Sequence, residues 1–319
     1  MKYSHCNTLF FLLLSVVLHA QKIDNTASFR DLQSERYFRF NYENDFFTAS
    51  DLYYTQGYQF ELVARWLHKN PVNHMFLKLK NSEQKYGLLF ENLGYIPTSI
   101  KVAGIQYGDR PYAATIALKN FMVSTDTLSK SRLSSSLIVG MIGPVALGNE
   151  IQTGIHKWIG DEIPKGWHNQ IKNDLVLDYE LAYEKQLFRY RRLAAINLDT
   201  KAHLGTFNTF ASLGLNATFG IINSPFTSIK NKKKFAAYVF AQPHFKAIGY
   251  DASMQGGVFT HSPYTISAGG IERFVFENNY GIIIQSRTLY FEYFRNDISE
   301  EFKTGTSHKW GGFKIGFTI

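Results

Sequence analysis

The amino-acid sequence predicts an all-β protein: a twelve-stranded antiparallel transmembrane β-barrel of the outer membrane, with a short helix in the third external loop. Three observations carry that expectation: an N-terminal export signal, segments of about ten residues that alternate apolar and polar side chains, and a last strand suited to pairing with the first.

Lys2 precedes an apolar run from Leu9 to Leu18, which ends at the small Ala20 and is followed by Gln21. This is the layout of a cleavable signal peptide, and the run is shorter than the roughly 20 apolar residues a spanning helix requires. Residues 1–20 are therefore expected to be removed, leaving 21–319 as a single transmembrane barrel domain. Cys6 leaves with the signal, so the mature chain has no disulfide, thiol nucleophile or thiolate metal site. The sequence holds 27 Phe, 19 Tyr and 24 Gly but only 8 Pro, which suits a large antiparallel sheet. A formal charge of +8 on an exported chain points to an anionic lipid surface rather than nucleic acid.

The strands follow from alternation. Phe38, Phe40 and Tyr42 alternate with Arg39, Asn41 and Glu43; Tyr58, Phe60, Leu62, Ala64 and Trp66 alternate with Gln59, Glu61 and Arg65. Leu177, Tyr179, Leu181 and Tyr183 stand against Asp178, Glu180 and Glu184, and Ala194, Ile196 and Leu198 against Asn197, Asp199 and Lys201. A soluble sandwich shows the same alternation; the aromatic density of the apolar face favours the barrel. At the C-terminus Phe313, Ile315, Phe317 and Ile319 share one face, so the last strand can close the barrel and remove free edges. The expected strands are 35–45, 53–67, 84–92, 110–123, 132–142, 173–188, 192–205, 209–222, 235–247, 265–277, 280–295 and 308–319. With both termini periplasmic, the external loops are 46–52, 93–109, 143–172, 206–208, 248–264 and 296–307. Pro243 implies a bulge in the ninth strand. Lys232, Lys233 and Lys234 read as solvated charge in a periplasmic turn, and Trp66 and Trp310 as interface girdle residues.

In the third loop, Ile151, Ile155, Trp158, Ile159 and Ile163 recur at helical spacing soon after Gly148 and Asn149. Gln152 and His156, four apart, share a face of that helix. Glu162 is six residues from His156, about 240° around an unbroken helix, so it can join them only if Gly160 ends the helix first.

Several motifs now stand in order along the chain: Asn44-Asp45, Tyr54-Thr55-Gln56-Gly57, Gly108-Asp109-Arg110-Pro111-Tyr112-Ala113, and Gly143-Pro144 followed by Gln152, His156 and Gly160 to Glu162. Together they resemble the outer-membrane lipid A 3′-O-deacylase family. The resemblance implies a calcium-dependent site at the outer-leaflet rim that hydrolyses the ester holding the 3′ acyloxyacyl group of lipid A. It places the family's catalytic Asn and Asp on Asn44 and Asp45, its Thr on Thr55, its His on His156 and its Glu on Glu162, and Gln152 also matches. A lysine that meets a lipid A phosphate falls on Lys101. Asp109 and Arg110 either serve the substrate or form an ion pair that fixes the fourth strand's start. The substrate is thus lipid A or lipopolysaccharide and the surroundings outer-membrane lipids, with no nucleic acid and a monomeric chain expected.

The residue types suit such chemistry. A histidine titrates near neutral pH and can activate water, so His156 is the expected base. Asp45 and Glu162 offer hard oxygens to Ca2+, which polarises a carbonyl. Asn44 and Gln152 orient water or the oxyanion, and Thr55 is a hydrogen-bonding support or a nucleophile. Two other classes compete. A passive pore or adhesin would use Arg39, Glu43, Glu180 and Lys201 to line its lumen. A serine hydrolase would need a rim Ser beside a His, and Ser212 and Ser286 are expected mid-strand without one.

Overall fold

The computed structural model describes residues 24–48, 52–228 and 235–319. The expected signal segment 1–20, with Cys6, and Lys232, Lys233 and Lys234 lie outside the described residues. The strands are β1 (Tyr37–Asn44), β2 (Tyr54–Val63), β3 (Glu83–Tyr95), β4 (Ala113–Asp126), β5 (Ser131–Ile142), β6 (Asp174–Tyr190), β7 (Ala194–Gly205), β8 (Asn208–Ile221), β9 (Ala236–Asp251), β10 (Phe274–Gln285), β11 (Leu289–Ile298) and β12 (His308–Thr318). They form one closed antiparallel barrel in which neighbours in sequence pair and β1 pairs with β12. In the closing pair Phe38 faces Phe317, Phe40 faces Ile315 and Tyr42 faces Phe313, so the terminal apolar rows meet on the outer face. No helix among the described residues is long and apolar enough to cross a membrane.

Two strands, β10 and β11, begin nine residues later than expected. Asn278-Asn279-Tyr280-Gly281 has the composition of a turn, yet it lies inside β10, and the turn is at Ser286-Arg287-Thr288. Asn279 points inward and donates to Asn296 Oδ1 at 2.7 Å, and a Cβ on Gly281 would strike the Tyr293 carbonyl of β11. These residues are thus lumen polarity and close strand approach, not punctuation. Ser286 consequently stands in a turn rather than mid-strand. β9 runs through Pro243, and its ladder with β8 lapses between Gly214↔His244 and Ala217↔Ala241. Trp66 is exposed, whereas Trp310 is buried inside, its ring tilted against Tyr54 with centroids 4.8 Å apart and its N–H bonded to Glu43. Its parity with Lys314 already assigned it inward.

The lumen is filled. Residues 24–36 enter it from the periplasmic end, where Arg30 pairs with Glu292 at 2.8 Å, Asp31 with Arg132 at 2.8 Å and Asp24 with Lys201 at 2.8 Å. Between strands on the inner face Arg39 meets Glu61 at 2.7 Å and Lys119 meets Glu180 at 2.6 Å. The lumen cavity between Asp24, Lys201 and His244 holds about 50 Å³. The groups that would line a pore are paired with one another and with the N-terminal segment, which removes the open channel the pore reading requires.

Candidate active site

The third external loop folds over the outside of the wall. Asn92, on the outward row of β3, donates to the Ala146 carbonyl at 2.7 Å. A Cβ on Gly148 would overlap both Ala114 of β4 and the Trp167 ring, so the helix α1 (Gly148–Ile159) starts in tight contact with the barrel. It ends where the sequence required: Gly160 adopts φ +75°, the left-handed cap that glycine takes without steric cost, and Asp161 N–H bonds back to the His156 carbonyl at 2.8 Å. The reversal brings residue 162 beneath the helix. Its backbone carbonyl, not its carboxylate, meets His156, accepting from Nδ1–H at 2.5 Å. A carbonyl can only accept, so Nδ1 carries the proton and Nε2 keeps the lone pair in the neutral ring.

On the wall side the ladder between β2 and β3 slips at Thr55, since Tyr54 pairs with Tyr95 and Gln56 with Gly94. Such a bulge re-aims a side chain. Tyr54 points inward to Glu43 and Trp310, while Thr55 turns out toward α1. Behind it runs a relay in one direction: Trp167 Nε1–H donates to Gln152 Oε1 at 2.7 Å, and Gln152 Nε2–H donates to Thr55 Oγ1 at 3.2 Å. Thr55 accepts there, which leaves its own hydroxyl proton for another partner. Asn44 ends the outward row of Phe38, Phe40 and Tyr42, and its Oδ1 caps the Phe46 N–H at 2.8 Å. Asp45 is buried and accepts from Leu52 N–H at 3.0 Å.

Asn44, Asp45, Thr55 and His156 surround one cavity of about 870 Å³, together with Tyr42, Phe46, Phe47, Ile155, Trp158 and Ile159. It lies between the outer wall and α1. Phe46, Trp158 and Ile159 are 79%, 86% and 56% exposed at its edge. Polar groups thus meet at a mouth of apolar side chains, the arrangement an amphiphile with a reactive polar bond would fit.

The other expected site residues fall elsewhere. Gln152 stands behind Thr55 with both ends of its amide engaged. The Glu162 carboxylate turns away, 3.1 Å from Lys165 and 4.0 Å from Lys101. Arg110 is buried and tied to Glu301 at 2.6 Å and Ser253 at 2.6 Å, over the Tyr95 ring. Its guanidinium joins three external loops and reaches neither the cavity nor the Asp109 carboxylate, which accepts instead from the backbone N–H groups of Thr98 at 2.8 Å and Arg110 at 2.7 Å. Sequence reasoning missed Trp167. For Ca2+, which takes about six to eight oxygens, Asp45 is a fitting donor at the cavity and Glu162 is not. No cluster of three His, Cys, Asp or Glu that could hold a metal occurs among the described residues.

Residues 8–319 match the family described as outer membrane protein LpxR. LpxR from Salmonella typhimurium superposes with a TM-score of 0.74 at 19% identity, covering 89% of this chain and 100% of that one. The translocator domain of autotransporter NalP from Neisseria meningitidis gives 0.35 at 8% identity, over 89% of this chain and 87% of that one. No curated protein sequence matches.

Proposed function

Since the chain belongs to the LpxR family of outer-membrane lipid A deacylases, we propose that it hydrolyses the ester joining the 3′ acyloxyacyl group to lipid A in the outer leaflet. The observation that carries this reading is the lateral cavity, where Asn44, Asp45, Thr55 and His156 meet beside exposed apolar side chains at the wall's outer face.

In the proposed reaction, water bound in the cavity gives a proton to His156 Nε2 as its oxygen attacks the ester carbonyl carbon. The Glu162 carbonyl holds Nδ1–H and so fixes the tautomer and ring orientation that make Nε2 the base. Thr55 O–H, freed by the Gln152 bond, and the Asn44 amide stabilise the negative oxygen that develops on the carbonyl. His156 then returns its proton to the departing 3′ oxygen. The products are the free acyloxyacyl acid and lipid A with a 3′ hydroxyl. Thr55 acts here as a donor, not a nucleophile, because the histidine base bonds to neither it nor Gln152. Apolar residues at the mouth, with Phe46 and Trp158 foremost, hold the acyl chains. Asp45 would hold a calcium ion at the cavity wall, and such an ion supplies positive charge near the ester carbonyl.

His156→Ala is expected to lower kcat by about 10²–10⁴, the usual share of a general base, with barrel folding intact by heat-modified gel migration. A fully active His156→Ala protein would overturn this mechanism.

A further inference from the structure

The connection between β2 and β3, residues 64–82, climbs the outside of the wall instead of hanging below it. Leu79 N–H donates to Ser124 Oγ of β4 at 2.9 Å, Ser135 Oγ of β5 to the Leu77 carbonyl at 2.8 Å, and the Tyr179 hydroxyl of β6 to the Met75 carbonyl at 2.8 Å. These three residues share strand parity with Leu118, Val139 and Leu177, which are exposed on the lipid-facing side. Ser124 and Ser135 are nevertheless fully buried, because the connection covers them. Hydroxyls and irregular backbone are costly in hydrocarbon, so the periplasmic headgroup region begins at this level on β4 to β6.

The surface this segment presents combines exposed apolar side chains with exposed lysines. Trp66, Met75 and Leu77 are 61%, 58% and 57% exposed. Lys69, Lys78 and Lys80 are exposed among them, with no acidic partner within ion-pair distance among the described residues, and the segment contains no Asp or Glu. The charge is polarised along the whole barrel. In the sequence, the five periplasmic connections carry twelve Lys and Arg and no acid, whereas the six external ones carry seven bases and nine acids. Apolar and aromatic side chains interleaved with lysine stems fit a bilayer interface, where the stems lie along acyl chains and the ammonium groups reach the phosphates.

We propose that residues 64–82 form an interfacial clamp that binds the headgroup phosphates of anionic phospholipids in the periplasmic leaflet. Lys69, Lys78 and Lys80 supply the charge; Trp66, Met75 and Leu77 enter the acyl region. The clamp is independent of the deacylase reading and lies at the opposite end from the cavity.

The test uses the full protein in phosphatidylcholine vesicles containing brominated phosphatidylglycerol or, at equal mole fraction, brominated phosphatidylcholine. The Trp66 share of the fluorescence is taken by difference from Trp66→Phe. Brominated phosphatidylglycerol should quench that share with roughly threefold preference at low ionic strength, falling as salt is raised. The preference should vanish in the Lys69→Gln/Lys78→Gln/Lys80→Gln variant, while quenching by phosphatidylcholine and deacylase activity persist. The salt dependence of the wild-type protein decides the matter if that variant does not insert. Equal quenching by the two lipids at every salt concentration would overturn the proposal, and so would a Trp66 share that neither lipid quenches.

Discussion

Trp167→Phe tests the relay behind Thr55 without touching the cavity. In the native chain the indole N–H occupies Gln152 Oε1 at 2.7 Å, so only the amide nitrogen can face Thr55 Oγ1, at 3.2 Å. Phenylalanine keeps a ring against Tyr112, whose centroid is 4.9 Å from that of Trp167, but donates nothing. Gln152, 1% exposed, would then carry a buried acceptor without a partner, at a cost of about 1–3 kcal/mol. A half-turn of the amide relieves part of that cost: Oε1 accepts the Thr55 hydroxyl, and the NH2 faces the phenyl ring, a weak acceptor. Stability is then largely spared while Thr55 loses the proton it offers the oxyanion, which lowers kcat by about 10²–10³ with little change in KM. Initial rates of acid release from lipid A in micelles separate the two parameters. Gln152→Glu should reproduce the loss with Trp167 in place, since a carboxylate accepts from both neighbours, and the double variant should fall little further. Trp167→Phe with native kcat would refute the relay.

Two further outcomes are expected. Chelation of divalent ions should abolish hydrolysis and added calcium restore it, whereas Asp45→Asn should stay inactive at calcium concentrations that saturate the native protein; activity retained in chelator would remove the metal from the mechanism. In the external loop cluster over the barrel mouth, burial and then Asp251 push the Glu301 carboxyl up to about 7 despite the opposing Arg110. The folded state binds this proton more tightly than the unfolded chain, so the cluster should weaken as pH rises from about 4.5 through 7. Thermal unfolding of Glu301→Gln should lack that slope, and an identical slope in both proteins would show that Glu301 does not titrate there.

Alternation read directly from Phe38 to Glu43 and from Leu177 to Glu184 was enough to orient the barrel, because a side-chain period of two has one solution once a face meets lipid. The same rule places Trp310 inside, where composition alone suggested a girdle. Asn278 to Gly281 misled because turn chemistry and lumen polarity use the same residues, and only cross-strand partners distinguish them. In the site, the Gly160 stop and the placement of His156 were legible from helical geometry. The group that meets His156 is the residue 162 backbone, which no side-chain motif encodes. Trp167 escaped notice for a related reason: its role lies in one N–H aimed by loop packing. Arg110 shows the converse, since a motif position holds loops together through Glu301, a partner 191 residues away that spacing cannot reveal.

The most direct measurement of the central claim is mass spectrometry of lipid A after incubation with the purified protein and calcium. The account predicts loss of the 3′ acyloxyacyl group alone, with the other acyl chains retained, and no change with His156→Ala. Intact lipid A after treatment with the native protein, or cleavage at a different ester, would contradict it.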